Sequence, residues 1–305
     1  MSETAYRSGF AALVGRPNAG KSTLTNALVG AKVAITSSKP QTTRHAIRGI
    51  RTDASTQLVL VDTPGLHRPR SLLGERLNDL VRETLLGVDV IGFCVPADQR
   101  PGPGDRFIAE ELAQLHRAKK LPVVAIATKS DAVTRDRLAE HLMALDRLAD
   151  WTEIVPCSAV RGDQVDEVAQ VLSSYLPQGP AMYPPDAVSD EPQTVMIAEL
   201  VREAALEGVR DELPHSLAVV VEEMVLRPDR PAQDPLTDVR VNIFVERPSQ
   251  KAIVIGRAGA RLVAVGSTAR RGIEQLLGHR VYLDLHVKVA KDWQRDPKQL
   301  QRLGF

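Results

Sequence analysis

FAALVGRPNAGKSTLTNALV, residues 10–29, decides the fold of the first half of the chain. FAALVG (10–15) is a short apolar run that ends in glycine, and a helical pattern follows from about Lys21 to Val29. Between them, Gly15-Arg16-Pro17-Asn18-Ala19-Gly20-Lys21-Ser22 reads G-x-x-x-x-G-K-S. A phosphate chain needs backbone N–H groups close to it, so glycines stand where the loop wraps. The N-terminus of the next helix adds partial positive charge. In this pattern Lys21 reaches the β- and γ-phosphates, Ser22 gives its oxygen to Mg²⁺, and Thr23 closes the cradle. The loop alone chooses neither the base nor between kinase and NTPase.

Downstream, the apolar runs LVLVDTPG (58–65), VDVIGFCVPA (88–97), LPVVAIATKSD (121–131) and EIVPCSA (153–159) alternate with helical patterns. The helices fall near 71–86, 104–118, 134–148 and 163–176. This rhythm predicts an α/β fold with a mostly parallel sheet and helices on both faces. HAIRGIRTD (45–53) alternates and fits an extra edge strand beside TQLVLVD.

Asp62-Thr63-Pro64-Gly65 ends an apolar run, where a carboxylate that organises Mg²⁺ through water belongs, and the Gly65 N–H would face the γ-phosphate. A threonine that binds Mg²⁺ only beside a γ-phosphate is expected between Lys21 and Asp62. SSKPQTTR offers Thr42 and Thr43, of which Thr43 is favoured. Thr128-Lys129-Ser130-Asp131 closes the strongest apolar run. A carboxylate there accepts from N1–H and N2–H₂ of guanine, a pattern adenine does not present, so Asp131 reads as the specificity residue. The Lys129 stem would cover one face of the base. Ser158-Ala159-Val160 would reach guanine O6 through the Ala159 N–H. The expected catalytic set is Lys21, Thr43, Gly65 and Asn18, with Ser22, Thr43 and Asp62 on Mg²⁺.

The 305-residue length suits two domains. With 43% hydrophobic and 25% charged residues and a net charge of +1, bulk composition points to no partner. Cys94 and Cys157, the only cysteines, lie in apolar runs and imply a reducing compartment without disulfides. No signal peptide or run of 18 apolar residues is present. A cytoplasmic monomer is expected, with peripheral contact at the inner membrane face left open.

PQGPAMYPPDAVSDEPQ (177–193) carries five prolines and no apolar period. It reads as a linker over 179–193, between a nucleotide-binding domain at 1–178 and a smaller domain at 194–305. The second domain reads α-β-β-α-α-β, with KAIVI expected as a strand entering a Gly-rich turn. From Arg247 onward twelve bases face four acids, Glu274, Asp284, Asp292 and Asp296. A basic half on a near-neutral chain is the footprint of a polyanion partner. Gly256-Arg257-Ala258-Gly259 is the G-x-x-G loop with which KH domains clamp a nucleotide backbone, and the element order is that of a type II KH domain. Arg257 and Arg261 supply charge, while Ile253, Ile255 and Leu262 would line an apolar groove. Trp293 is expected in the core rather than on RNA.

GRPNAGKSTL, PQTTRHAI, VDTPGLH and VIGRAGARL…ARRGIE together resemble the translation-factor-related GTPases, and within them the Era-like ribosome-assembly family with a C-terminal KH domain. The likeness covers about residues 8–304. It implies GTP hydrolysis to GDP, and binding of the 3′ end of 16S ribosomal RNA in the assembling 30S subunit. It also implies K⁺ near Asn18 as a charge-stabilising element; a loop-capping hydrogen bond is the plainer role for that side chain. Thr128 departs from the family's usual Asn, which contacts guanine N7 and braces the phosphate loop, so weaker nucleotide affinity is expected. Many GTPases place a water-orienting Gln where this chain has Leu66, so the intrinsic rate should be slow. The alternatives are an RNA-binding module with little hydrolysis, or a related GTPase acting on another RNA.

Overall fold

A computed structural model describes residues 5–37, 43–67, 69, 71–209 and 216–305. The chain divides into two compact units, with the main boundary at Asp190/Glu191.

The first unit is a six-stranded sheet in the order β2-β3-β1-β4-β5-β6. Its strands are β1 (Arg7–Val14), β2 (Ile47–Thr52), β3 (Thr56–Asp62), β4 (Val90–Pro96), β5 (Val123–Thr128) and β6 (Glu153–Pro156). Only the edge strand β2 is antiparallel to its neighbour. Helices α1 (Lys21–Val29) and α5 (Val165–Ser174) cover one face; α2 (Leu72–Leu86), α3 (Pro103–Lys119) and α4 (Arg135–Asp146) cover the other. Strand periodicity builds both cores at once. Ala11 and Leu13 of β1 join Leu24, Leu28 and Leu172. Ala12 and Val14 turn the opposite way, to Val81, Ile108 and Leu112. Both cysteines are buried as expected.

The proline-rich stretch read as a linker is mostly bound structure. Gln57 is fully buried, and its Oε1 accepts from the backbone N–H of Met182 and Tyr183 at 2.7 and 2.9 Å. The Ile50 N–H donates to the Val188 carbonyl at 2.9 Å, and Ser189 Oγ donates to the Arg48 carbonyl at 2.7 Å. Arg48 also pairs with Asp190 at 3.0 Å. Composition shows that a segment lacks periodicity; it does not show which side chain elsewhere will hold its backbone.

The second unit contains α6 (Gln193–Leu206), β7 (Ala218–Leu226), β8 (Leu236–Val245), α7 (Pro248–Ile255), α8 (Ala260–Leu277), β9 (Arg280–Val289) and a short α9 (Pro297–Arg302). β7 pairs antiparallel and β9 parallel with the central β8. One core joins Ile197 and Val201 of α6, Val241 and Ile243 of β8, and Val265 and Ile273 of α8. Trp293 is fully buried, with Nε1 donating to the Ser216 carbonyl at 3.0 Å.

The element order is as read, but KAIVI is helical. Pro248 begins α7, where its missing N–H costs no bond. Gln250 Oε1 accepts from the N–H groups of Glu246 and Arg247 at 2.9 and 3.0 Å, closing the helix start. A short β-branched run does not distinguish strand from helix, and here the cap decides. No single helix among the described residues is long and apolar enough to cross a membrane.

Candidate functional site

The phosphate loop leaves β1 at Gly15 and enters α1 at Lys21. A Cβ on Gly15 would stand 2.5 Å from the Cys94 carbonyl oxygen, so the loop passes too close to β4 for any side chain. Asn18 and Gly20 take left-handed conformations, with φ of 64° and 88°. The Lys21 ammonium lies across the loop, donating to the Gly15 and Arg16 carbonyls at 3.1 Å each. Burial pushes its pKa down, and the Asp62 carboxylate opposes that shift. The exposed Asn18 lies on the loop's outer rim.

Ser22, Thr43 and Asp62 converge. Asp62 Oδ2 accepts from Ser22 Oγ at 2.6 Å and from Thr43 Oγ1 at 3.0 Å, and the two hydroxyl oxygens are 2.9 Å apart. Three hard oxygens with one carboxylate fit Mg²⁺, which keeps several waters and takes its other ligands from phosphate. Thr42 lies outside the described residues, and the geometry falls on Thr43. Thr63 is structural: its Oγ1 donates to the Leu13 carbonyl at 2.7 Å. Beyond Pro64, a Cβ on Gly65 would lie 2.7 Å from the Pro17 nitrogen, so this turn sits directly against the phosphate loop. Leu66 is 2% exposed and packs in the core with Val81 and Phe93, turned into the protein.

At the end of β5, Thr128 Oγ1 donates to the Ala19 carbonyl at 2.6 Å. Lys129 adopts φ 58°, and its ammonium pairs with Asp98 at 3.1 Å. The Ser130 N–H donates to the Cys157 carbonyl at 3.2 Å, joining this turn to the loop after β6. There Ser158 Oγ donates to Asp131 Oδ1 at 2.6 Å and accepts from the Arg161 N–H at 3.1 Å. Ala159 is half-buried and Val160 is exposed. The sequence reading gave Ser158 no role of its own; this bond fixes the Asp131 carboxylate. It also missed the clamp on Arg16, whose guanidinium donates to Asp105 at 3.1 Å and to Gln99 at 2.7 Å. Asp105 in turn accepts from the Gly102 N–H at 2.8 Å. A carboxylate three residues past Gly102, the helix N-cap, signals the helix start, and nothing in the sequence points it at residue 16.

In the second unit Gly256-Arg257-Ala258-Gly259 joins α7 to α8. Gly256, Ala258 and Gly259 have φ of 73°, 49° and 80°. A Cβ on Gly256 would lie 2.6 Å from Arg261 Cβ. Arg257 is exposed at the turn and Ile253 is 53% exposed. Val263, which the sequence reading passed over, is 68% exposed. Ile255 and Leu262 pack partly against the core. Arg261 is engaged elsewhere: its Nη2 donates to the Ala205 and Glu207 carbonyls at 3.1 and 2.6 Å, capping α6.

The family described as "50S ribosome-binding GTPase" matches residues 10–129, and the KH domain family matches residues 212–294. The chain is 64% identical to GTPase Era of Streptomyces coelicolor, over 99% of this chain and 96% of that protein. It is 63% identical to GTPase Era of Mycolicibacterium paratuberculosis, over 99% and 100%. A crystal structure of Era in complex with MgGDPNP and nucleotides 1506–1542 of 16S ribosomal RNA superimposes with a TM-score of 0.91. The two chains are 35% identical, and the match covers 98% of this chain and 99% of the other. Aquifex aeolicus Era carrying a point substitution and bound to GDP and AlF₄⁻ gives the same TM-score, identity and coverage.

Proposed function

Because the chain belongs to the Era family of GTPases, we propose that it couples GTP hydrolysis to binding of the 3′ end of 16S ribosomal RNA in 30S assembly. The chain is a GTPase with a C-terminal KH domain. What supports the RNA target is the near-complete superposition on an Era structure that holds that segment of 16S ribosomal RNA. On this reading the protein acts in the cytoplasm, where subunits assemble.

The site residues divide the work. The backbone N–H groups of Arg16 and of Asn18 to Ser22 (Pro17 has none) and the Lys21 ammonium neutralise the β- and γ-phosphates, with Thr23 at the first turn of α1. Ser22, Thr43 and Asp62 would hold Mg²⁺, Ser22 and Thr43 through their hydroxyls and Asp62 through water, and the ion would supply neutralisation of phosphate charge. The Gly65 N–H faces the γ-phosphate. The Thr43 hydroxyl, 2.9 Å from Ser22 Oγ, is placed to share one Mg²⁺ with Ser22, and through that shared ion it would report the γ-phosphate. Asp131, held by Ser158, accepts from guanine, and Lys129 and Ala159 enclose the base. Leu66 has no means to orient water, so hydrolysis is slow until another group assists. K⁺ held near Asn18 is one such group. In the second unit Arg257 and the Gly256 and Gly259 backbone clamp phosphates, while bases rest on Ile253 and Ile255.

One family description refers to the 50S subunit, which favours a large-subunit target as the second reading. It covers residues 10–129 alone and leaves out the KH domain. Cross-linking the full chain to RNA in the presence of magnesium and GTP, then sequencing the bound RNA, separates the two. Reads at the 3′ end of 16S RNA are expected, and reads concentrated in 23S RNA or tRNA would contradict the proposal.

A further inference from the structure

A cleft of about 750 Å³ lies on the first unit, between α4 and the segment from Ala97 into the start of α3, and meets the phosphate loop only through Gln99, which binds Arg16. Arg100, Arg106, Arg137 and Arg147 stand around it. Among the described residues, none of these four guanidinium groups makes an ion pair or hydrogen bond. Arg16, Arg48, Arg51 and Arg82 of the same unit are in ion pairs, while Arg135 and Arg161 share the unpaired state of the cleft's four without lining it. The cleft's two acids are Asp98, already paired with Lys129, and Glu140.

Helix spacing builds one wall. Arg137, His141 and Ala144 recur at intervals of four and three residues and so share a face of α4, and Leu148 lines the cleft just beyond the helix end. His141 is 5% exposed, and its Nε2 has no hydrogen-bond partner among the described residues. Met143, 57% exposed, and Leu148 give the wall an apolar component. Unpaired guanidinium groups around an apolar floor match single-stranded RNA: phosphates take bidentate contacts, and a base lies on the aliphatic surface or an arginine plane. The volume is in the range of small-ligand sites and suits a nucleotide unit.

We propose that this cleft is a second single-stranded RNA contact, on the GTPase domain, separate from the KH turn. The proposal rests on the RNA-binding reading above and extends it to bivalent engagement of one RNA, in which the second contact raises overall avidity. Through Asp98 the cleft also borders Lys129, so RNA seated there neighbours the guanine site.

The test uses the full chain with a 30-nucleotide oligo(U) carrying 4-thiouridine, ultraviolet cross-linking, and mapping of the modified peptides. Cross-links are expected in 97–106 or 132–148 as well as in 194–305. Those in the cleft should persist in Ile253→Asp/Arg257→Glu and vanish in Arg137→Glu/Arg147→Glu. The latter variant should lose at least about tenfold in affinity. Its log–log salt slope should fall by about 1.4, two phosphates at about 0.7 each. Retained GTP binding will show that it is folded, and Arg137→Ala/Arg147→Ala is the milder variant if charge reversal prevents folding. Cross-links confined to 194–305, with wild-type affinity in both arginine variants, would overturn the cleft. Cross-links confined to the cleft would instead overturn the KH assignment and leave the cleft standing. Capture of an acidic peptide with no oligo(U) cross-link at the cleft would also overturn it.

Discussion

The Thr128 hydroxyl donates a 2.6 Å hydrogen bond to the Ala19 carbonyl, tying the end of the guanine-recognition strand to the phosphate loop 109 residues earlier. Thr128 is 4% exposed, so water does not replace this bond. The threonine makes the loop-bracing bond expected of the asparagine it replaces, and its shorter side chain is expected to give up the reach toward the base. Thr128→Val preserves shape and leaves the Ala19 carbonyl unsatisfied. That should cost about 1–3 kcal/mol, equivalent to about 5- to 150-fold weaker GDP binding. Thr128→Asn should restore or exceed wild-type affinity. Titration with a fluorescent GDP analogue checks both, with ATP as a competitor that should stay ineffective.

Lys21 separates binding from stability. Its folded pKa lies below 10.5 because burial disfavours the charge. Between that depressed value and 10.5 the unfolded chain binds more protons than the folded one, so stability without nucleotide rises with pH in this window. Lys21→Met removes a buried charge. Its Tm without nucleotide should equal or exceed that of the wild type, while the stabilisation that GDP gives the wild type should largely disappear. Thermal unfolding with and without magnesium GDP measures both quantities.

On the proposed reading, Ser158 acts on guanine through Asp131. Ser158→Ala removes the 2.6 Å bond that fixes the carboxylate and should lower GTP affinity by about 10- to 150-fold, from the 1.5–3 kcal/mol of a charge-assisted bond. Asp131→Ala should erase the preference for GTP over ATP. Competition binding reads the ratio directly, and an unchanged ratio in Asp131→Ala would remove the base assignment.

Arg257 and Arg261, four residues apart, should respond differently. Arg257 is exposed at the G-x-x-G turn, so Arg257→Glu should weaken RNA binding without moving Tm. Arg261 caps the end of α6, so Arg261→Ala should lower stability by about 1–2 kcal/mol and lower RNA affinity less. Paired anisotropy and unfolding measurements distinguish a contact from a cap.

That the side chains of the proposed nucleotide site converge was legible because such chemistry fixes residue types at fixed separations. Gly15 to Ser22, Asp62 and Asp131 each do something few other side chains can do. The sheet was legible from its apolar runs, down to the edge strand at 47–52. What escaped the sequence reading depends on partners distant in the chain. Gln57 holds Met182 and Tyr183, and Arg16 meets Asp105, with nothing local to announce either pair. KAIVI was read as a strand because β-branched residues carry no period over five positions, and the Pro248–Gln250 cap outweighs their propensity. Arg261 was read as an RNA contact from charge alone, which does not reveal that two α6 carbonyls take up its guanidinium.

The central claim is that Ser22, Thr43 and Asp62 form one Mg²⁺-dependent γ-phosphate sensor. Single-turnover phosphate release from saturating GTP, compared in wild-type protein and Thr43→Ala, tests it most directly. The account predicts a rate at least about tenfold lower in the variant, from loss of a metal-held group acting in the transition state, with GDP affinity unchanged. A variant that hydrolyses GTP at the wild-type rate, or that loses GDP and GTP equally, would contradict it.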